Sequence, residues 1–113
     1  SFPVKRIAVV ELKPVRLELY DDQSLVTRMS APSASISLKS GRLILNGNVR
    51  VESGSRILKT NRLEFLYEKA IIKTGAFVLN TPEKQLKGRQ LTADIFLESV
   101  EDAFGSQIIN KTQ

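Results

Sequence analysis

The stretch GRLILNGNVRVE, residues 41–52, alternates apolar and polar side chains with a period of two. One face of this stretch carries Leu43, Leu45, Gly47, Val49 and Val51. The other face carries polar side chains apart from one isoleucine: Arg42, Ile44, Asn46, Asn48, Arg50 and Glu52. This alternation is typical of a β-strand that buries one of its two faces.

The Asn46-Gly47 pair at the centre of this stretch allows two interpretations. An Asn-Gly pair between apolar runs commonly forms a tight hairpin turn, which would divide the stretch into two strands. The alternation keeps its parity across the pair, however, and a glycine allows a strand to bend sharply. We therefore favour one long strand that bends at Gly47.

Similar alternating segments recur along the whole chain, separated by turn residues. They are predicted as strands at residues 4–12, 15–20, 25–30 and 33–38, as a strand pair at 56–60 and 63–67, and as further strands at 71–79 and 91–97. A shift of 28 residues places Leu43 on Ile71 and Gly47 on Gly75, which indicates an internal repeat of two strands joined by a turn.

Such a unit cannot cover its own apolar face, so stacking of the copies is expected. The prediction is an all-β domain over residues 1–113, built as a sandwich, a barrel or a stacked roll. Residues 98–104 are expected to form a loop or an irregular strand, and the tail at 106–113 is expected to fray.

The composition argues against an enzyme. The chain has no His and no Cys, which excludes Ser-His-Asp and Cys-His nucleophile systems and the usual zinc sites. The adjacent carboxylates Asp21/Asp22 and Glu101/Asp102 lie in a turn and near the tail, where exposed structural roles are far more common. No glycine-rich phosphate loop precedes a helix. We expect no catalytic residues, no metal and no cofactor.

The charge distribution suggests an anionic partner or simply solvated strand faces. The net charge is +5, and residues 1–90 carry 16 Lys and Arg against 8 Asp and Glu. Nucleic acid, phospholipid head groups and phosphorylated glycolipid are possible partners of such a surface. Phe65, Tyr67 and Phe77 share the parity of the apolar face, so the basic face lacks aromatic platforms for bases. We therefore expect no nucleic-acid partner.

The apolar face leaves two alternatives open. It could form a closed core that binds nothing, as in a β-structured module that only bridges proteins. It could instead form an open interior, lined with Leu, Val, Ile and Phe, that takes acyl chains, because each methylene removed from water contributes about 0.8 kcal/mol.

Three motifs resemble the lipopolysaccharide-export family that includes LptA, LptC and the N-terminal domain of LptD. LILNGNVRV at 43–51 is similar to its L-x-G-N-V-x-V segment, and LKTNRLEFLY at 58–67 is similar to the T-x-x-L-x-Y strand that follows. IKT at 72–74 with LKGRQLTAD at 86–94 resembles the I-x-T … G-x-G-L-x-A-D continuation of LptC-like chains, although Arg89-Gln90 stands where a second glycine is common. The resemblance covers residues 25–97.

The resemblance implies a slim, twisted β-jellyroll in the periplasm, made of a folded antiparallel sheet. It implies a lipid-binding groove, for which we expect Leu43, Leu45, Val49, Val51, Leu63, Phe65, Tyr67, Phe77, Leu79, Leu91, Ala93 and Ile95. The expected ligand is lipopolysaccharide, whose acyl chains the groove would shield and relay to the next component.

The implied protein partners follow from the same family. They are an LptA-like bridge protein joined by pairing of edge strands, the permease of an inner-membrane ABC transporter, and a second copy joined through strand edges. LptC-like members carry an N-terminal membrane helix, and a chain that begins without Met fits the removal of such an anchor. LptA-like members are soluble after signal cleavage, and the sequence does not distinguish the two.

Overall fold

A computed structural model describes residues 6–22, 24–98, 100–103 and 107–110. All regular structure in these residues is β, and none of them forms a helix that could span a membrane. The strands are β1 (Arg6–Leu12), β2 (Val15–Tyr20), β3 (Leu25–Ala31), β4 (Ser33–Ser37), β5 (Arg42–Ser53), β6 (Arg56–Leu66), β7 (Ile71–Thr74), β8 (Phe77–Asn80), β9 (Lys84–Gly88), β10 (Gln90–Asp94), β11 (Val100–Ala103) and β12 (Gln107–Asn110).

The stretch that contains Asn46-Gly47 forms one bent strand, β5, which confirms the interpretation that we favoured over a hairpin. β5 runs without a break through Asn46 and Gly47, and Gly47 has a φ of 93°. Its register against β6 shifts between Asn46 and Val49, so that Gly47 and Asn48 face the single residue Asn61. This is a β-bulge, and a bulge bends the strand that contains the extra residue.

The two long strands, β5 and β6, belong to both halves of one folded antiparallel sheet. The first branch contains β4, the first half of β5, the second half of β6, β7, β10 and β11. The second branch contains β1, β2, β3, the second half of β5, the first half of β6, β8, β9 and β12. The sheet does not close, and this architecture is that of a β-jellyroll, as expected.

The 28-residue repeat corresponds to this architecture. The shift moves residues 42–53 of β5 onto 70–81, which contain β7 and β8, and moves residues 56–66 of β6 onto 84–94, which contain β9 and β10. Gly75 and Ala76 separate β7 from β8, and Arg89 separates β9 from β10. The sheet therefore bends along one line that crosses all of these strands, which we call the fold line.

Several predicted boundaries were wrong. The strand pair predicted at 56–60 and 63–67 is the single strand β6, and the strand predicted at 71–79 is divided into β7 and β8. β9 was not predicted, and β10 ends at Asp94 rather than continuing to 97. β11 lies within 98–104, where a loop or an irregular strand was expected, and β12 lies within the tail that we expected to fray. Residues 104–106 and 111–113 lie outside the described residues. The start of the first predicted strand, at residues 4 and 5, lies outside the described residues.

The core lies between the two branches as one continuous cluster of inward-facing side chains. Leu45, Leu63 and Ile72 from the first branch are completely buried in it. Val51 and Leu58 from the second branch are equally inaccessible. The period-two pattern of each strand therefore covers a shared interior, and polar residues at the alternate positions face outward.

The buried hydroxyl group of Thr27 joins the branches at one end, and the hydroxyl of Ser53 lies beside it. Thr27 Oγ1 on β3 donates to the carbonyl oxygen of Ile95, which follows β10, at 2.6 Å. Thr27 Oγ1 also lies 3.1 Å from Ser53 Oγ, and Ser53 donates to the carbonyl oxygen of Val26. Because Thr27 and Ile95 are buried, these bonds satisfy groups that water does not reach.

We expect Thr27→Val to lower the free energy of unfolding by about 1–3 kcal/mol, because the Ile95 carbonyl loses its donor in a buried place. Urea unfolding followed by far-UV circular dichroism measures this change. Thr92→Val, on the outer face of β10, is the matched control and should change stability by less than about 0.5 kcal/mol. Equal effects of the two substitutions would contradict a role for Thr27 in joining the branches.

Candidate functional site

An open apolar cavity of about 660 Å³ lies between β1 and β2 on one side and β4, β5 and β6 on the other. β1 and β4 are edge strands of the two branches: among the described residues, β1 pairs with β2 alone and β4 pairs with β5 alone. The cavity therefore lies where the branches separate. Its lining consists of Ile7, Val9, Leu12, Lys13, Val15, Leu17, Pro32, Ser33, Ala34, Ser35, Ile36, Leu38, Leu43, Phe65 and Tyr67.

The mouth of this cavity, which we call the β1–β4 mouth, exposes large apolar side chains to solvent. Leu12 is 73% exposed and Leu38 is 79% exposed, and Val9 and Ile36 are also more than half exposed. Of the described residues in the lining, Lys13 alone is charged. Exposed apolar residues gathered at a concave site are typical of a binding surface, and this volume falls in the usual range for ligand pockets.

The floor of the cavity is aromatic. Leu43 on β5 lies opposite Phe65 on β6 in the register. The rings of Phe65 and Tyr67 are 6.5 Å apart at an angle of 69°, an edge-to-face arrangement. Phe65 is fully buried, whereas Tyr67 and Leu43 are half-buried, so the floor passes continuously from the closed core into the open cavity.

The structure brings the twelve predicted groove residues onto one continuous interior but gives them different surroundings. Leu43, Phe65 and Tyr67 line the open cavity. The other nine are buried in the core: Leu45, Val49, Val51, Leu63, Phe77, Leu79, Leu91, Ala93 and Ile95. Contact of any of the twelve with lipid stays a prediction.

Sequence reasoning missed most of the lining of the cavity, including Val9 on β1 and Ile36 on β4. These residues alternate in the same way as the core residues, so periodicity alone does not distinguish them. A usable signal was the placement of Pro14 in the turn between β1 and β2 and of Pro32 directly before β4, because proline in a sheet is confined to edges, strand starts and bulges. Apolar side chains on predicted edge strands are candidates for an open site.

The described lining of the cavity can bury apolar groups, and it carries few groups that could bind a metal ion or act in catalysis. Among the residues that the structure describes, no group of three or more His, Cys, Asp and Glu side chains could hold a metal ion. The lining hydroxyls belong to Ser33, Ser35 and Tyr67, and no carboxylate is among the lining residues. An apolar ligand fits this arrangement.

Residues 4–100 match the family model described as "LptC: Lipopolysaccharide-assembly, LptC-related". This match covers the cavity, the fold line and both long strands. A search of curated proteins finds no match.

Proposed function

This chain belongs to the LptC-related lipopolysaccharide-assembly family, and we propose that it holds lipopolysaccharide by shielding acyl chains in the cavity behind the β1–β4 mouth. The observation that carries the proposal is the open apolar cavity with exposed Leu12, Ile36 and Leu38 at its mouth. Burial of an acyl chain of roughly a dozen methylenes would contribute at most about 10 kcal/mol before ordering costs. The chain would thus act in transport rather than catalysis, on the periplasmic side of the inner membrane.

The open position of the mouth supports a relay rather than permanent storage. A lateral opening along two edge strands would let acyl chains enter and leave sideways, without passing through the closed core around Leu45 and Leu63. The edges themselves carry backbone groups that a second jellyroll could pair with. We propose that an LptA-like component, and the permease of the transporter, contact the domain through such edges.

Photo-crosslinking tests acyl-chain binding with pairs of adjacent positions. A crosslinker at Ile36 faces the cavity, whereas one at Ser37, the next residue of β4, does not line it. Val9 and Val10 form a second such pair on β1, because Val9 lines the cavity and Val10 does not. We expect capture of lipopolysaccharide from Ile36 and Val9 to be about tenfold greater than from their neighbours, since acyl burial depends on the cavity.

Equal capture within both pairs would contradict the proposed site. A closed module that only bridges proteins is the alternative, and the exposed edge strands β1 and β4 are the observation that favours it. A titration with detergent-dispersed lipopolysaccharide separates the two, because a bridging module with no lipid site would show no saturable binding.

A further inference from the structure

A second cavity, of about 570 Å³, lies on the fold line and differs in chemistry from the β1–β4 cavity. Polar residues at the bend contribute to it, including Asn48 on β5 and Asn61 on β6. Among the residues that the structure describes, Arg50 and Lys59 are the charged ones in its lining, and none of the described lining residues is Asp or Glu. We call it the fold-line cavity.

The two cations of the fold-line cavity face each other directly across the β5–β6 ladder. Arg50 is the register partner of Lys59. Directly opposed residues in an antiparallel pair have Cβ atoms about 5 Å apart, and like charges at this distance destabilise the sheet. The arrangement therefore carries an electrostatic cost.

Other pairs of charged residues in the described part of the sheet have opposite signs. The pairs are Glu11 with Arg16, Glu18 with Arg28, Arg28 with Glu52, and Glu64 with Lys73. The carboxylate of Glu18 also accepts a hydrogen bond from Tyr20 at 2.7 Å, which lowers the pKa of Glu18 and keeps it charged. The opposition of Arg50 and Lys59 departs from this pattern, and Glu52, which pairs with Arg50, offsets only part of the positive charge.

Both cations retain donors for such a ligand. The side chain of Lys59 makes no hydrogen bond or ion pair with any residue that the structure describes, and it is exposed. Arg50 uses Nε to donate to Glu52 at 2.6 Å, which leaves its two terminal nitrogens available. Asn48, Asn61 and Ser30 line the same cavity, and their side chains carry neutral hydrogen-bond donors.

We propose that the fold-line cavity binds a phosphate group, between the guanidinium of Arg50 and the ammonium of Lys59. A phosphate monoester carries between one and two negative charges near neutral pH and three strong acceptor oxygens, which suits two cations and neighbouring amides. The site goes beyond the acyl-chain cavity and does not depend on it. The phosphate could belong to a lipid head group or to a soluble compound, since both offer the same anion.

Thermal unfolding at constant ionic strength tests the site with inorganic phosphate as the probe. A ligand that binds only the folded state raises Tm, so phosphate should raise the Tm of the unaltered chain more than chloride does. Lys59→Gln should weaken phosphate affinity by about tenfold, because one charged hydrogen bond is lost. Lys73→Gln, an exposed lysine of the first branch outside the cavity, is the charge-matched control and should keep the phosphate effect.

The stability of the same variants without phosphate distinguishes a loss of phosphate binding from a general loss of folding. Without phosphate, Lys59→Gln should be at least as stable as the unaltered chain, since it removes a repulsion between like charges. A phosphate effect that is absent, or that Lys59→Gln and Lys73→Gln reduce equally, would overturn the proposal. Neither result would bear on acyl-chain capture at the other cavity.

Vesicle binding then identifies the source of the phosphate. If the site takes a lipid head group, phosphatidylcholine vesicles with phosphatidic acid should bind the chain more strongly than pure phosphatidylcholine vesicles, and Lys59→Gln should remove that difference. If it takes a soluble phosphate, inorganic phosphate should stabilise the chain through Lys59 while the two vesicle types bind equally. Either result supports a phosphate site, and a vesicle difference that survives Lys59→Gln while phosphate has no effect would contradict it.

Discussion

Gly47→Ala should lower the free energy of unfolding by about 3 kcal/mol, the largest effect that we expect from a single added methyl group in this chain. Gly47 has a φ of 93°, a backbone conformation that is strained for any residue with a Cβ. A Cβ at this position would also lie 2.8 Å from Cγ of Pro32, whose ring cannot retract as a flexible side chain would. Typical domains are stable by only about 5–15 kcal/mol, so the loss would be readily measured in urea.

Alanine substitutions at two other glycines distinguish the two causes of the expected loss of stability, which are the strain at positive φ and the contact with Pro32. Gly54 has a φ of 58° but open space around it, so Gly54→Ala should cost only the backbone strain of about 1–2 kcal/mol. Gly75 has no positive φ, and a Cβ added there would have no described residue within 4 Å apart from its chain neighbours, so Gly75→Ala should change stability by less than about 0.5 kcal/mol. If Gly47→Ala were as mild as Gly75→Ala, the bend of β5 against Pro32 would not be as described.

Ala34→Trp should reduce acyl-chain binding by about tenfold or more while the domain stays folded. Ala34 is half-buried on β4 and lines the β1–β4 cavity. An indole group that enters this cavity would occupy the space proposed for the acyl chain and bury a large apolar surface of its own. The free volume of about 660 Å³ accommodates the indole without the strain that a filled core would impose.

Ser37→Trp is the matched control for this substitution. Ser37 lies on the same strand, is exposed and does not line the cavity, so the same side chain there should leave lipid binding unchanged. Lipopolysaccharide binding by both variants can be followed by competition with a fluorescent acyl probe. Unaltered binding by a folded Ala34→Trp protein would contradict the proposed location of the acyl chains.

The bend of the sheet could be predicted from the sequence because it depends on local chemistry. The parity of the alternation across Gly47 indicated one strand, and β5 confirms it. The 28-residue shift also relates Gly47 to Gly75, which lies on the fold line between β7 and β8, although β9 and the division between β7 and β8 were not predicted. The first signal depends on residues that are close in sequence, and a strand pattern reports such residues well.

The continuity of β6 could not be predicted in the same way. Asn61 and Arg62 are consecutive polar residues, which resemble a turn when only the local sequence is considered. In the structure, Asn61 lies opposite the bulge at Gly47 and Asn48. β6 therefore stays paired with β5 through the bend and continues as one strand. Strand continuity here depends on a neighbour across the ladder, which periodicity does not describe.

The sequence also did not predict which apolar residues belong to the closed core and which line the open cavity. Leu45 and Leu43 are two residues apart on the same face of β5, yet Leu45 is fully buried and Leu43 lines the cavity. The difference arises because the edge strands β1 and β4 separate at the mouth, a consequence of how the two branches pack. Alternation identified the face, and only the tertiary arrangement identified the open part of it.

Paramagnetic relaxation enhancement tests the central claim, that acyl chains lie in the cavity behind the β1–β4 mouth, most directly. With a lipid that carries a spin label on its acyl chain, we expect strong broadening of the backbone amide signals of Leu43 and Tyr67, which line the cavity. The amide signals of Asn80 and Gln85, paired on β8 and β9 at the other end of the second branch from β1, should be broadened far less. Broadening centred on Asn80 and Gln85, or none at Leu43 and Tyr67 under saturating lipid, would contradict the account.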